Sequence, residues 1–324
     1  MSRINVYAEN KGWLFEDLKN HFRSLGRIGQ LEIVVTDKPN PSCHAWVCLR
    51  TTEGDAAPDL SRTAICIHDL FCESGMYDAA GSRRSVRDAG ALVLCHPEQL
   101  EILRREGVAL DGRPRLERPL GALKIFSPRE ELHQKFRIGW VGKNHLRKRL
   151  GWFLEAVTSI ELPPADFEIV LIGEGLGGAA SILGSRGIQC SYFDRKDHEI
   201  DAYPGLYKEL DCVVITSSTE AGPLPLFEAL ETGLVVVSTP VGWAPYFAQS
   251  FPHYVRLAKS IDEIKVHLNK LAEERDSMFS ERFRIAQFVS QWSLDDWVRE
   301  VIVLAGSLIV GSTESKTARL EFVG

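Results

Sequence analysis

The stretch FRIGWVGKNHLRKRLGWFLEAVTSIELPPADFEIVLIGEG, residues 136–175, decides the fold class. An apolar run at 136–142 is followed by a helical pattern at 149–160 and a second apolar run at 167–175. Two strands separated by a helix predict a parallel βαβ unit, because parallel neighbours need a crossover connection. Such units assemble into open, doubly wound sheets with helices on both faces.

The same alternation repeats on both sides of this unit. Upstream, five short apolar runs predict strands, at 4–8, 31–36, 44–50, 63–68 and 91–96. Downstream, three more do so, at 188–193, 211–218 and 234–242. The charged stretch around 127–135 shows no strand pattern and separates the two series. We therefore predict an α/β protein with two Rossmann-like, doubly wound domains, at 1–127 and 128–290, and a last helix with a tail at 291–324.

Composition narrows the class of protein. The 324 residues are 44% apolar and 25% charged, which is typical of a globular protein, and the net charge of −6 argues against a nucleic-acid binder. Seven cysteines without a Cys-x-x-Cys pair indicate a reducing compartment. No signal peptide is recognisable, and the apolar stretch at 301–311 is about half as long as a membrane helix. We expect a cytoplasmic protein.

Two glutamates frame an uncharged segment beyond one predicted strand. Glu220 and Glu228 lie within TEAGPLPLFEALETG, residues 219–233, and none of the seven residues between them is charged. In open α/β sheets, ligands bind beyond the carboxyl ends of the strands, and Glu220 follows the run at 211–218. If the intervening residues were all helical, the two carboxylates would be about 12 Å apart. Either glutamate alone is most simply a surface residue, but the combination indicates a ligand between them.

A helix is expected to start between these glutamates, near Pro223 or Pro225, and to end before Gly233. We expect three N–H groups at its start to remain free, those of Gly222, Leu224 and Leu226. A helix start with free N–H groups binds anions, and a glycine lets the ligand approach the backbone. A ligand with an anionic middle and hydroxyl groups at both ends fits this frame, as does a nucleotide diphosphate sugar.

The segment resembles the Glu-x7-Glu motif of retaining glycosyltransferases with the GT-B fold, family 4 in particular. The continuation GLVVVSTPVG, residues 233–242, resembles the same family. The resemblance implies two domains that face a central cleft, with the last helix crossing back to the first domain. It also implies that Glu220 contacts hydroxyls of the donor sugar, that Glu228 binds the ribose, and that the backbone holds the diphosphate. The backbone residues concerned are Ala221, Gly222, Leu224 and Leu226.

The basic stretch after the first strand of the second domain resembles the family's diphosphate site. Family members carry glycine then arginine there, and a lysine about five residues later; here Gly142, Lys143 and Lys148 occupy those positions. Lysine supplies charge without the planar geometry of arginine. The resemblance implies that both lysines neutralise the leaving diphosphate. The alternative is a solvated basic turn.

Three further positions follow from the resemblance. Gly173, in IGEG at 172–175, corresponds to a glycine beside the nucleotide, and His68 to a histidine close to the donor sugar and the reaction centre. Gly12 corresponds to a glycine-rich turn near the phosphate, although Trp13 follows it instead of a second glycine. A histidine after an apolar strand is also common in a purely structural role.

We expect the reaction to proceed without a metal or other cofactor, with the nucleotide diphosphate sugar as co-substrate. No Asp-x-Asp motif occurs, nor a His/Cys cluster with the spacing of metal ligands. Protein cations and oriented N–H groups would then stabilise the leaving diphosphate. The resemblance implies hexosyl transfer with retention by front-face substitution, in which the leaving diphosphate accepts the proton of the acceptor hydroxyl.

The acceptor and some rival functions stay open. The acceptor is a glycan, a lipid-linked molecule or a small molecule, in a polysaccharide or a small-molecule glycoside pathway. Five arginines either contact anionic lipid weakly or belong to solvated helix faces: Arg83, Arg84, Arg87, Arg104 and Arg105. The rivals are a nucleotide-sugar epimerase or hydrolase and a non-catalytic nucleotide-sugar-binding protein. A dehydrogenase is disfavoured because the paired glutamate and basic motifs, rather than the fold alone, favour a glycosyltransferase.

Overall fold

The chain divides into two α/β units, which we describe in a computed structural model for residues 1–9, 13–68, 80–197 and 202–310. The second unit is Gly121–Ser293, and the first contains the described residues on either side of it. The predicted boundaries, 127/128 and 290/291, lie seven and three residues from these divisions. Gly12 and the tail beyond residue 310 lie outside the described residues.

The first unit is built on a seven-stranded sheet of order β2-β3-β1-β4-β5-β6-β7. Its strands are β1 (Ser2–Tyr7), β2 (Arg27–Ile28), β3 (Leu31–Thr36), β4 (Ala45–Cys48), β5 (Thr63–Ile67), β6 (Ala91–Leu94) and β7 (Arg115–Glu117). Its helices in this part of the chain are α1 (Trp13–Leu25), α2 (Ala80–Asp88) and α3 (Gln99–Arg105). All pairs are parallel except β2 with β3. Every residue of β4, β5 and β6 is buried, as expected for central parallel strands.

The second unit is built on a six-stranded parallel sheet of order β10-β9-β8-β11-β12-β13. Its strands are β8 (Phe136–Val141), β9 (Phe167–Gly173), β10 (Cys190–Asp194), β11 (Cys212–Ile215), β12 (Val235–Ser238) and β13 (Val255–Leu257). Its helices are α4 (Leu150–Thr158), α5 (Gly177–Ser185), α6 (Tyr203–Lys208), α7 (Leu224–Glu231), α8 (Ala244–Ser250), α9 (Ile261–Ser280) and α10 (Arg282–Val289). The strand order reverses between β8 and β11, which makes this position the switch point where ligands bind in such sheets.

Two apolar layers cover the sheet of the second unit. One is centred on Tyr207, Phe227 and Trp292, and the other on Trp140 and Phe153. The valine-rich strands are buried between these layers, so their runs are continuous rather than alternating. The sheet therefore provides a fixed base for the loops at its carboxyl end.

The last helix, α11 (Leu294–Val310), returns to the first unit, where it packs against β4 and β5. Its Trp297 is fully buried. The described residues include no helix that is both long and apolar enough to span a bilayer.

The prediction of an α/β fold with two Rossmann-like domains is confirmed. The sequence interpretation missed three short strands, β2 with two residues and β7 and β13 with three residues each. In β7, RLE, a single leucine lies between two charged residues, and in β13, VRL, an arginine interrupts a short apolar run, so neither segment reads as a strand.

Candidate functional site

Two glycines at the carboxyl ends of β8 and β9 bring these strand ends close together. The N–H of Gly142 donates to the carbonyl of Ile172 at 2.9 Å. Gly173 has φ +141°, and a Cβ built there would lie 1.8 Å from the carbonyl oxygen of Gly142. Because backbone and not a flexible side chain is in the way, only glycine fits at this position. Both predicted glycines thus lie beside the switch point.

A short basic turn connects β8 to α4. Leu146–Lys148 forms one turn of 3-10 helix, and Arg149 follows with φ 47° and ψ 47°. Arg149 is the one non-glycine position with positive φ among the described residues, and this conformation is uncommon for a side-chain-bearing residue. Its guanidinium lies 4.8 Å from the centre of the Trp152 ring. The chain thus enters α4 abruptly at this turn.

Hydrogen bonds hold the basic turn against the loop after β11. The Arg147 carbonyl accepts from the N–H of Ser218 at 2.8 Å, and the Lys148 carbonyl accepts from Oγ1 of Thr216 at 2.7 Å. The indole N–H of Trp140 donates to the same Thr216 oxygen at 3.1 Å. With both carbonyls held, the side chains of Arg147 and Lys148 lie against the loop that carries Glu220.

These two cations, here called the cation pair, converge on Glu220. Nζ of Lys148 lies 2.5 Å from Oε1 of Glu220, and Nη1 of Arg147 lies 2.9 Å from Oε2. The hydroxyl of Ser217 also donates to Oε1 at 2.7 Å. The Glu220 side chain is 8% exposed, compared with 29% for Arg147 and 19% for Lys148. Burial alone would raise the pKa of Glu220, but Lys148 and Arg147 lower it below the usual value, so the group carries one net positive charge at neutral pH.

The start of α7 lies beside this group. Pro223 is the N-cap residue and cannot cap the helix with its side chain. Within the described residues, the N–H groups of Ala221, Gly222 and Leu224 donate no hydrogen bond. The expectation of a free N–H at Leu226 is wrong: it donates to the carbonyl of Pro223 at 2.9 Å, because the first turn closes with an i to i+3 bond. The remaining N–H groups suit an anion.

Glu228 lies one turn into α7 and is half-buried. The hydroxyl of Tyr207, on α6, donates to Oε2 of Glu228 at 2.5 Å. Burial and the neighbouring Glu228 carboxylate raise the pKa of Tyr207 well above its usual value, so the tyrosine keeps its proton. The second glutamate of the motif is thus oriented by a neutral donor, whereas the first is held by cations.

Lys143 is placed differently from Lys148. Its side chain is 60% exposed, and its Nζ pairs with Oε1 of Glu174 at 3.1 Å. Arg147, which the sequence interpretation did not single out, is the second cation on Glu220 instead. The available signal was its position beside Lys148 in the basic stretch, but the sequence did not show which side chain turns inward.

His68 lies in the first unit, directly after β5. The ring centres of Phe15 and Trp297 are 5.8 and 6.0 Å away from its own. Within the described residues, neither ring nitrogen of His68 has a hydrogen-bond partner. Burial lowers the pKa of His68 to about 4, so the imidazole is neutral at physiological pH.

The five arginines of α2 and α3 are exposed, and four of them have carboxylate neighbours. Arg84 and Arg87 lie near Asp88, and Arg104 and Arg105 lie near Glu101. This placement favours solvated faces over a basic lipid-binding surface. The described residues contain no group of three or more His, Cys, Asp or Glu side chains arranged to hold a metal ion. Independence of metals stays a prediction.

One family model matches part of this chain. Residues 135–273 match the family model described as glycosyl transferases group 1, and this range contains the cation pair and both glutamates. A search of curated proteins finds no match. Over the whole chain, the similarity is to solved structures and lies at low sequence identity.

Three of these structures illustrate the likeness. Sucrose-phosphate synthase from Thermosynechococcus elongatus has a TM-score of 0.72 at 11% identity, covering 96% of this chain and 100% of its own. HepE from Anabaena, solved in complex with UDP and glucose, has a TM-score of 0.71 at 12% identity, covering 95% and 100%. WaaG, a glycosyltransferase involved in lipopolysaccharide biosynthesis, has a TM-score of 0.67 at 15% identity, covering 96% and 100%. The fold is the GT-B fold.

Proposed function

We propose that the protein is a glycosyltransferase that moves a hexosyl group from a nucleotide diphosphate sugar to an acceptor hydroxyl, with retention and without a metal. The observation that carries this proposal is the net positive group of Arg147, Lys148 and Glu220 beside the free N–H groups of Gly222 and Leu224. Cations and oriented N–H groups at a switch point suit a diphosphate that must leave with developing negative charge.

Two comparisons support the same proposal. The family model covers the whole of this group, and a structural neighbour with both chains almost fully covered was solved with UDP and glucose. That neighbour supports the fold. The chemistry therefore depends on the residues of this chain.

The proposed roles follow the placement of each side chain. Glu228 binds the ribose, Glu220 accepts from hydroxyls of the donor sugar, and Lys148 with the N–H groups of the loop stabilises the leaving diphosphate. The leaving diphosphate takes the proton of the acceptor hydroxyl as the new bond forms on the same face. Glu220 is ionised at neutral pH and therefore accepts hydrogen bonds from hydroxyls.

The acceptor is a glycan, a lipid-linked molecule or a small molecule, and we infer a cytoplasmic location. All six cysteines within the described residues are free, which supports a reducing compartment. An acceptor panel with one member of each class would assign the acceptor by product formation.

The first test is calorimetric titration of UDP, GDP and ADP in the presence of a chelator. We expect one of them to bind, and Glu228→Gln to weaken it about tenfold through loss of a charge-assisted hydrogen bond. Gln retains an acceptor for Tyr207, so the packing around α6 is preserved. Glu231→Gln, one turn along the same helix, is the matched control and should leave the affinity unchanged.

A second measurement separates the rivals. Donor and acceptor are incubated together, and the anomeric configuration of the product is read by NMR. Consumption of donor without an acceptor indicates an epimerase or hydrolase, and nucleotide binding without turnover indicates a binding protein. If none of the three nucleotides binds, the proposed function is wrong.

A further inference from the structure

We propose that Arg147 and Lys148 together bind the donor diphosphate, and that Glu220 occupies this cation pair as a competing anion that the diphosphate displaces. This inference rests on the proposed function and makes it specific. It transfers the second cationic role from Lys143, the position that the family resemblance indicates, to Arg147. It also predicts that removing the charge of Glu220 has opposite effects on diphosphate binding and on turnover.

The hydrogen bonds of Arg147 leave room for an incoming anion. Its Nη1 donates to the carbonyl of Thr219 at 3.0 Å and to Oε2 of Glu220 at 2.9 Å. Within the described residues, its Nε and Nη2 have no partner, and the side chain is partly exposed. A guanidinium has five N–H donors in one plane, so Arg147 retains the paired donors that bind phosphate oxygens.

The cation pair already holds an anion in the arrangement that a diphosphate requires. Lys148 and Arg147 contact different oxygens of the same carboxylate, as two cations would on neighbouring phosphate oxygens. The single negative charge of Glu220 neutralises only one of the two cations. A diphosphate carries more than one negative charge and can therefore neutralise both. The diphosphate is therefore the stronger electrostatic partner, and the free N–H groups at the start of α7 add to the difference.

The turn that carries the pair is fixed before any ligand binds. The carbonyl groups of Arg147 and Lys148 are held by Ser218 and Thr216, and Arg149 adopts the left-handed conformation that the turn requires. The hydroxyl of Ser217 donates to Oε1 of Glu220 at 2.7 Å and can keep that carboxylate in place when the cations move to the phosphate. A carboxylate released from two cations is a better acceptor for the sugar hydroxyls, which couples diphosphate binding to recognition of the sugar.

Lys143 differs from Arg147 in its exposure and in its ion-pair partner. It is largely exposed and pairs with Glu174, whose side chain is also accessible. An exposed pair of this kind contributes little energy, and its members are screened by salt. The Lys143–Glu174 pair is therefore a matched reference for the Arg147–Glu220 pair in the same loop region.

The test compares the affinities of a nucleoside diphosphate and of its monophosphate, using whichever of UDP, GDP and ADP the wild type binds. We expect Arg147→Ala to weaken the diphosphate more than tenfold and the monophosphate less than threefold, because Arg147 is proposed to bind the phosphate that only the diphosphate has. The diphosphate affinity of Arg147→Lys should lie between those of the wild type and of Arg147→Ala, since lysine keeps the charge and lacks the planar donors of arginine. Lys143→Ala should cost less than threefold in diphosphate affinity.

The decisive variant is Glu220→Gln. We expect it to bind the diphosphate about tenfold more tightly than the wild type while turnover falls, because the competing charge is gone and the neutral amide is a weaker acceptor for the sugar hydroxyls than the carboxylate. Glu174→Gln makes the same charge change beside Lys143 and should alter the affinity less than twofold. In the double variant Arg147→Ala/Glu220→Gln, the increase in diphosphate affinity caused by Glu220→Gln should be largely lost. A double-mutant cycle measures this coupling directly. Thermal unfolding of each variant shows that it is folded.

Each outcome separates this inference from the proposed function. Weaker or unchanged diphosphate binding by Glu220→Gln, or an equal loss from Lys143→Ala and Arg147→Ala, overturns the inference while the glycosyltransferase stands. A wild type that binds no nucleoside diphosphate overturns both.

Discussion

The two ends of the sheet in the second unit each place two cations around one buried carboxylate. At the carboxyl end these are Arg147, Lys148 and Glu220, and at the amino end they are Arg129, Arg275 and Asp211. The charges are the same, but the surroundings differ. At the carboxyl end, the neighbouring backbone offers N–H groups without partners.

At the amino end, Arg275 also binds backbone carbonyl groups and Arg129 packs on an aromatic ring, although the Nε of each donates no hydrogen bond within the described residues. Arg275 donates to the carbonyl groups of His133 and Gln134, and the Arg129 guanidinium lies 5.0 Å from the centre of the Phe279 ring. Asp211 is 1% exposed and also accepts from the N–H of Arg137 at 2.7 Å. These contacts tie separate segments together, so this group is structural. Charge composition alone does not identify a binding site; the partners of the surrounding backbone do.

The largest effect should come from breaking the amino-end group. Asp211→Asn leaves the buried Arg129 and the half-buried Arg275 without a counter-charge, and we expect the free energy of unfolding to fall by about 3–5 kcal/mol. Chemical denaturation measures the loss. Glu209→Gln is the control, because Glu209 lies two residues away and is half-exposed, and it should cost no more than about 1 kcal/mol. If Asp211→Asn is as stable as the wild type, the structural interpretation of this end is wrong.

At the carboxyl end, the main effect should be on turnover and not on stability. Lys148→Ala removes a cation from the leaving diphosphate, and we expect turnover to fall about 10²- to 10³-fold, comparable to the loss of one oxyanion donor. Steady-state kinetics with the assigned donor measures this change, and thermal unfolding should move little. Lys270→Ala, at an exposed lysine on α9, should leave turnover unchanged. Near-normal turnover in Lys148→Ala would contradict the assigned role.

Local sequence patterns were sufficient for the parts of the site that depend on one segment. The run at 211–218 placed Glu220 at a strand end, and Gly233 ends α7 with φ +74°, as its position after the helical pattern predicted. Arg147 could not be found in this way. Which basic residue of the turn reaches Glu220 depends on left-handed Arg149 and on hydrogen bonds from a loop some 70 residues later in the chain. Such tertiary contacts leave no periodic pattern in the sequence.

Glu231, in the last turn of α7, shows what burial does to a carboxylate without a cation pair. Burial raises the pKa of Glu231 to about 7 although Lys124 opposes the shift, whereas the cation pair lowers the pKa of Glu220. Since the folded-state pKa lies above that of the unfolded chain, folding favours the protonated form. Stability should therefore decrease as the pH rises from about 4.5 to 7.

Glu231→Gln mimics the protonated side chain at every pH and should show the smallest effect of the three. We expect it to unfold like the wild type at pH 5 and to be more stable at pH 8 by about 1–2 kcal/mol, a value reduced for partial exposure from the full shift. Urea unfolding at the two pH values measures the difference. If Glu231→Gln and the wild type were equally stable at pH 8, water or Lys124 would stabilise the Glu231 carboxylate enough to offset its burial. The difference in pKa between Glu231 and Glu220 would then be due to the cation pair alone, without a contribution from burial.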